Sequence, residues 1–326
     1  MLHAPSYQFL SPADWDDRIR EADRLASACA LCPRKCGVNR LAGEKGFCKA
    51  PNNLIISSIF PHHGEEPPIS GTKGSGTVFF SYCTLKCLFC QNYQISHEAE
   101  GRGYSESELA QQCIDLQEQG CHNINLVTAA HFLPWLLRAL KAAAGLGLSI
   151  PIVYNNGGYE APEAIDILNG IVDIYLPDMK YGRTEDARMY SHAKDYVEVN
   201  QKAVKAMFRQ VGHIRTDESG VAYRGLCIRH LVLPSGRAGS ENIVEFLLGS
   251  FDPQDLTISL MAQYKPMYRA AEFPEIGRIP RTDEYNHVKR MFEQAGIAGF
   301  YQELPQLNDR FCIDFKKRKS EPLTGS

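Results

Sequence analysis

The sequence predicts an α/β fold on parallel strands, and three observations lead there. From Thr77 onward, short apolar runs suited to buried strands alternate with stretches whose apolar residues recur at helical spacing. Repeated βα units of this kind imply parallel strands joined by right-handed crossovers. A length of 326 residues fits one large α/β unit with a small appendage.

Composition narrows the class. Hydrophobic residues at 44% and charged residues at 22% are ordinary for a globular chain. A net charge of −3 argues against nucleic-acid binding, which normally brings a basic bias. No apolar run approaches the roughly 18 residues of a membrane span, and the N-terminus lacks a signal-peptide pattern. A cytoplasmic protein with no membrane partner is expected. Eleven cysteines in a reducing compartment read as metal ligands and buried thiols, and an odd total agrees with that.

The elements follow in order. Residues 11–28 form a helix, with Ser11 as its cap, Pro12 in its first turn, and Trp15, Ile19, Ala22 and Leu25 on one face. Residues 54–60 alternate as a strand, followed by a Pro- and Gly-rich loop holding His62, His63, Glu65 and Glu66. A strand beginning at Thr77 runs into a cysteine-bearing loop. Ser105 and Glu108 form a capping box for a helix whose stripe is Leu109, Cys113 and Leu116. Next come strand 124–127, helix 135–144 opened by Pro134, strand 151–154, helix 161–169 and strand 171–176. Helix 195–211 precedes a hairpin over 213–223, broken at Asp217-Glu218-Ser219-Gly220. Strand 226–233, helix 240–248, strand 256–261 and helix 282–295 complete the pattern, and a basic, disordered tail begins at Lys316. The domain boundaries read 1–52, 53–302 and 303–326.

Two cysteine groups carry the chemistry. Cys83, Cys87 and Cys90 are spaced C-x3-C-x2-C just past a strand. Three clustered thiolates suit an iron–sulfur cluster that has a fourth iron left open. A closed zinc site wants four ligands, and the nearest further candidate is His97. Cys29, Cys32, Cys36 and Cys48, at C-x2-C-x3-C-x11-C in a Gly-containing loop, read as a second metal site. Zinc and an iron–sulfur cluster are both compatible with it.

The triple-cysteine motif, with the aromatic Phe89 before its last cysteine, resembles the radical S-adenosylmethionine (SAM) superfamily. Its continuation Gln91-Asn92-Tyr93-Gln94-Ile95-Ser96, the Glu65-Glu66-Pro67-Pro68 turn and the N-terminal cysteines are similar to the subgroup resembling pyruvate formate-lyase activating enzyme. The resemblance implies a partial (β/α)6 barrel, a [4Fe–4S] cluster on Cys83, Cys87 and Cys90, and SAM bound at the open iron. It further implies reductive cleavage of SAM to a 5′-deoxyadenosyl radical that abstracts hydrogen from a substrate.

Barrel chemistry sits at the C-terminal ends of the strands. There the chain offers Thr128, Asn155, Asp178 with Lys180, and His230 as SAM contacts, besides Phe89. The Gly-Gly-Glu stretch usual in these enzymes is absent after the second strand, and Thr128 stands in its place. The Asp178-Met179-Lys180 run resembles the Asp-x-Lys element of glycyl-radical activating enzymes. Arg229 and His230 point to opposite faces of one strand, and His230 is expected near the ribose. Glu65, Glu66 and Tyr264 are active-site candidates, with Tyr264 or Gln263 expected to line the substrate end. The partners implied are a glycyl-radical enzyme, or another protein, peptide or small-molecule substrate, and an electron donor such as flavodoxin or ferredoxin. A non-catalytic iron–sulfur or zinc protein on the same scaffold is the alternative class.

Overall fold

A computed structural model describes residues 3–303 and 313–317. In chain order the helices and strands are α1 (Pro12–Ser27), β1 (Leu54–His62), α2 (Pro67–Ser70), β2 (Ser75–Phe80), α3 (Tyr93–Ser96), β3 (Arg102–Tyr104) and α4 (Glu106–Glu118). Then come β4 (Ile124–Val127), α5 (Leu133–Gly145), β5 (Ile152–Asn156), α6 (Pro162–Leu168), β6 (Ile174–Pro177), α7 (Thr184–Ser191) and α8 (Tyr196–Val211). The chain finishes with β7 (Arg215–Thr216), β8 (Ala222–Leu226), β9 (Ile228–Leu231), α9 (Ser240–Leu248), β10 (Ile258–Met261), α10 (Thr282–Gln294) and β11 (Gly299–Tyr301).

The expected caps form. Ser11 accepts from the Asp14 amide while Asp14 accepts from the Ser11 amide, and Ser105 with Glu108 does the same for α4. Each closes a helix end that would otherwise leave amides unpaired, worth about 1 kcal/mol.

The parallel strands run β2-β4-β5-β6-β8 in one sheet and β9-β10-β11 in another. The two sheets join through β8 and β9, which are nearly continuous. Leu226 pairs with Tyr175 of β6, and two residues on, Ile228 pairs with Ile258 of β10. An isolated bridge between Asp178 and Arg229 keeps β9 beside the end of β6. The result is a partial barrel, with β1 and β3 added antiparallel at the β2 edge.

The strand period sorts the residues. Leu126, Tyr154, Tyr175, Ile228, Ile258 and Leu260 face outward into one continuous core with the helices, which also takes in Trp15, Leu25 and Leu31 of the N-terminal segment. The opposite face looks into the lumen. There Val153, Ile174, Leu176, Ala222 and Cys227 close around Ile69 of α2, which is fully buried. Asn123 holds this plug by donating to the Ile69 carbonyl at 2.8 Å. The lower lumen is thereby stoppered, and the upper lumen stays open.

The structure adds elements the pattern did not announce: α7, β3 and the eighth parallel strand, β11. It also corrects the tail at its described end. Phe315 is buried against Phe79, its amide donates to Gln94 Oε1, and Lys316 pairs with Glu98 at 2.7 Å. Residues 304–312 and 318–326, including the expected Lys319, lie outside the described residues.

Candidate active site

The upper lumen is a cavity of about 970 Å³. Cys83, Cys87, Phe89, Cys90, Thr128, Asn155, Asp178, Lys180, Glu65 and Glu66 all line it. Strand ends and the loop after β1 bring these residues together from distant points of the sequence.

The cysteine loop leaves β2 at its C-terminal end and is tied down on several sides. The Leu88 amide donates to the Tyr190 carbonyl at 2.8 Å, the Arg269 amide to the Leu88 carbonyl at 3.0 Å, and Gln91 Nε2 to the Gln263 carbonyl at 2.7 Å. Buried His131 reaches the Ser81 carbonyl at 2.8 Å, and burial pulls its imidazole down to about 3, so it is a neutral strut at the root of the loop. Phe89 packs edge-on against Tyr181 and Tyr264. Hydroxyls address two of the sulfurs: Ser191 donates to Cys87 Sγ at 3.0 Å and Ser96 to Cys90 Sγ at 3.2 Å.

Burial pushes the Cys83 and Cys90 thiols up, Cys90 to about 12, with the neighbouring Cys87 adding to both. Thiols in such a place give up their protons most readily in exchange for a metal cation. Lys180 opposes this trend. Burial works against its charge, but Asp178 and Cys87 hold its affinity for a proton above the usual value. Its ammonium is paired with Asp178.

Thr128 has a φ of 60°, left-handed backbone that a β-branched residue seldom adopts, and its amide is fixed to the Asn155 carbonyl at 2.9 Å. Gly158, at φ 72°, lets the loop after β5 press onto the end of β6, since a Cβ there would stand 2.1 Å from the Asp178 carbonyl. Asn200 and the Tyr196 hydroxyl both donate to that same carbonyl.

Below this level lies a group of charges. Arg229 Nη1 is 3.3 Å from Glu65, and its Nε is 3.2 Å from Asp178 and 3.7 Å from Glu66. Asn155 Nδ2 reaches Glu65 at 3.4 Å. Burial raises the proton affinity of the Glu65 carboxyl against the pull of Arg229, and Glu66 raises it further. Glu160, beside the cavity and bonded to Tyr154, is pushed up to about 8 by burial.

Two expected residues fall elsewhere. His230 faces away from the lumen, fully buried between the Met179 carbonyl at 2.6 Å and Ser240 Oγ at 2.8 Å, with its ring toward Phe292. The strand alternation was right, but the inward residue is Arg229. Tyr264 also turns away, donating to the Ile276 carbonyl at 2.7 Å and backing Phe89, while Gln263 lines the cavity.

The N-terminal cysteines gather behind this loop, outside the barrel. Cys29, Cys32 and Cys48 are buried and Cys36 is half-buried. The Phe47 amide donates to Cys36 Sγ at 3.3 Å. Arg40, wholly buried, lies 3.7 Å from Cys48 Sγ, donates to the Pro51 carbonyl at 2.6 Å and sits over the Trp135 ring. Arg34 joins the two cysteine groups. It donates to the Thr84 and Leu85 carbonyls of the barrel loop and to the Ser191 and His192 carbonyls, while stacking on Phe47. Among the described residues, no three His, Cys, Asp or Glu side chains converge on a point where a single metal ion could sit. Arg34 and Arg40 lie inside the cysteine loop, but nothing in the sequence separates them from the other basic residues there, Lys35, Lys45 and Lys49.

No protein-family model matches the chain. An uncharacterized protein of Methanocaldococcus jannaschii, MJ0674, is 30% identical over 302 residues, 90% of this chain and 82% of the relative. The chain belongs to the MJ0674 family. Among solved structures, methylornithine synthase (PylB) is similar with a TM-score of 0.43 and 14% identity, covering 96% of this chain and 90% of that one. HydG, a maturase of the [FeFe]-hydrogenase, gives 0.48 and 13%, covering 93% and 67%. At those scores neither likeness carries an argument, and the reading of this MJ0674-family chain rests on its own residues. Among the described residues no helix is long and apolar enough to cross a membrane.

Proposed function

We propose that the chain is a radical SAM enzyme. The observation that carries this is the placement of three cysteines, in the C-x3-C-x2-C spacing, at the C-terminal rim of a parallel partial barrel and over a large cavity. The donor set fits a [4Fe–4S] cluster. Three thiolates leave one iron without a protein ligand, and a cluster spaces its ligands more widely than a lone ion does. When bound, that cluster supplies the electron for reductive cleavage of SAM to methionine and a 5′-deoxyadenosyl radical, which then takes hydrogen from a substrate.

The protein's own part is to orient and to shield. Asp178, Lys180, Asn155 and Thr128 line the cavity and would contact SAM, and Phe89 walls the sulfur side. Arg229 takes the inward place expected of His230. Ser191 and Ser96 stabilise negative charge on two of the sulfurs.

The N-terminal cysteines are proposed to hold a second centre. Arg40 is a buried guanidinium, with no carboxylate paired to it among the described residues, lying against Cys48. An unpaired buried charge is costly. An anionic thiolate centre answers it; an iron–sulfur cluster is the proposed form, with zinc as the alternative that four thiolates also suit. The substrate side keeps the activating-enzyme form as one candidate: hydrogen abstraction from a backbone glycine of a partner enzyme, supported by the sequence likeness alone. Flavodoxin or ferredoxin would supply the electron. Ten described cysteines stand free, which suits the reducing cytoplasm.

The test is anaerobic incubation of the purified chain with SAM and a strong reductant. 5′-Deoxyadenosine is expected in step with methionine. Its absence from material that carries a full cluster would sink the proposal.

A further inference from the structure

We propose that the deep end of the cavity binds a cation, an ammonium or guanidinium group carried by the substrate, between Glu66 and Glu65. This deepens the radical reading, on which it rests for assigning the upper cavity to SAM.

With all of its acids ionised, the group does not balance in charge. Three carboxylates, Glu65, Glu66 and Asp178, converge on the one guanidinium of Arg229, and each is 3.2 Å or more from it. Lys180 adds a second cation, but it is committed to Asp178 and lies toward the sulfurs. His62, from β1, also faces Glu65.

The hydrogen bonds are short as well. Glu66 is 8% exposed and lines the cavity, yet its Oε2 has no hydrogen-bond partner among the described residues. Asp178 Oδ1 and Arg229 Nε also lack a well-aligned hydrogen bond, although they form an ion pair with each other at 3.2 Å. A buried carboxylate oxygen left bare costs free energy that a partner returns. An anionic ligand would add to the excess, and an apolar one would leave Glu66 unanswered. A donor-rich cation answers it and lets Arg229 settle on Glu65 and Asp178.

The surroundings suit such a group. Asn155, Gln263 and Gln302 offer amides along the walls, and Met261 and Phe300 offer apolar contact for the chain that carries the charge. The cavity, at about 970 Å³, is at the upper end of ordinary ligand sites and has room for a molecule beyond the nucleotide. SAM itself carries an ammonium group, so the two sources must be separated by experiment.

The test is calorimetric titration of the anaerobically purified, full-length, cluster-loaded chain. The probes are agmatine and putrescine as cations, 1,4-butanediol as a neutral counterpart and glutarate as an anion, each with and without saturating SAM. Agmatine or putrescine is expected to bind at least about tenfold more tightly than the other two, and Glu66→Gln to erase about tenfold of that. Thermal unfolding reports whether the variant folds; if it does not, Glu65→Gln is read in its place. Indifference to probe charge, or to the substitution, overturns the proposal. So does competitive displacement of the cation by SAM, which would give the acids to the SAM ammonium instead. Release of 5′-deoxyadenosine is scored separately. Its absence with cation binding intact sinks the radical reading alone, and the reverse result sinks this inference alone.

Discussion

The two cysteine groups are built from similar parts and placed in opposite settings. Cys83, Cys87 and Cys90 stand at the rim of a cavity, with hydroxyls on two sulfurs and a lysine within electrostatic reach. Cys29, Cys32, Cys36 and Cys48 lie outside the barrel, where a buried arginine and Trp135 back the site. Three thiols stand beside open space; four lie against packed core, with Cys36 half-buried among them. On the proposed reading, the difference gives reaction to the first group, and support or electron storage to the second.

The largest effect should come from the rim. Cys87→Ala is expected to bleach the barrel cluster's visible absorption and to drop SAM cleavage to background. Cleavage that survives would make the two groups interchangeable and undo the comparison. Cys32→Ala should leave SAM cleavage within a small factor and remove the metal of the second centre, read by metal analysis. Loss of about four irons per chain identifies a cluster there, and loss of zinc overturns that assignment. Arg40→Met should cost about 3 kcal/mol by leaving a buried anionic centre uncompensated, measured as a fall in unfolding free energy of the metal-loaded chain. The smallest change is expected for Ser191→Ala. Removing the hydroxyl from Cys87 Sγ should shift the barrel cluster's midpoint potential to more negative values, because hydrogen bonds to sulfur favour the reduced state. Redox titration monitored by electron paramagnetic resonance would show it, and an unchanged potential would mean that the bond is not made in the loaded protein.

Much of the fold was legible because local rules and tertiary packing agree. The capping boxes at Ser11 and Ser105 and the βα alternation each point to the element that forms. What was hidden depended on distant pairing. β11 is three residues long and is a strand only because β10 lies beside it. Within β8, Gly225 at φ 123° lets the 213–214 backbone approach closely, since a Cβ there would stand 2.3 Å from the His213 carbonyl, and no pattern of apolar residues announces that. The parity of Arg229 and His230 could be read from the strand period, but the sense could not. Period two says that neighbours part, not which one turns inward. Arg229 faces inward because Glu65 and Glu66 arrive from a loop more than 160 residues earlier. The clustering of the cysteines could be expected from their spacing; the charge arrangement beneath them could not, since it is assembled from four separate segments.

The stopper made by Ile69 and its neighbours has a kinetic corollary. With the lower lumen sealed among the described residues, a molecule at Glu66 lies deeper than the sulfur-bearing rim, where SAM would sit on the proposed reading. Loading should then be compulsory in order, the deeper molecule first and the nucleotide after it, with SAM acting as the cork. Steady-state patterns would reveal this as trapping, in which excess SAM slows the entry of the other reactant.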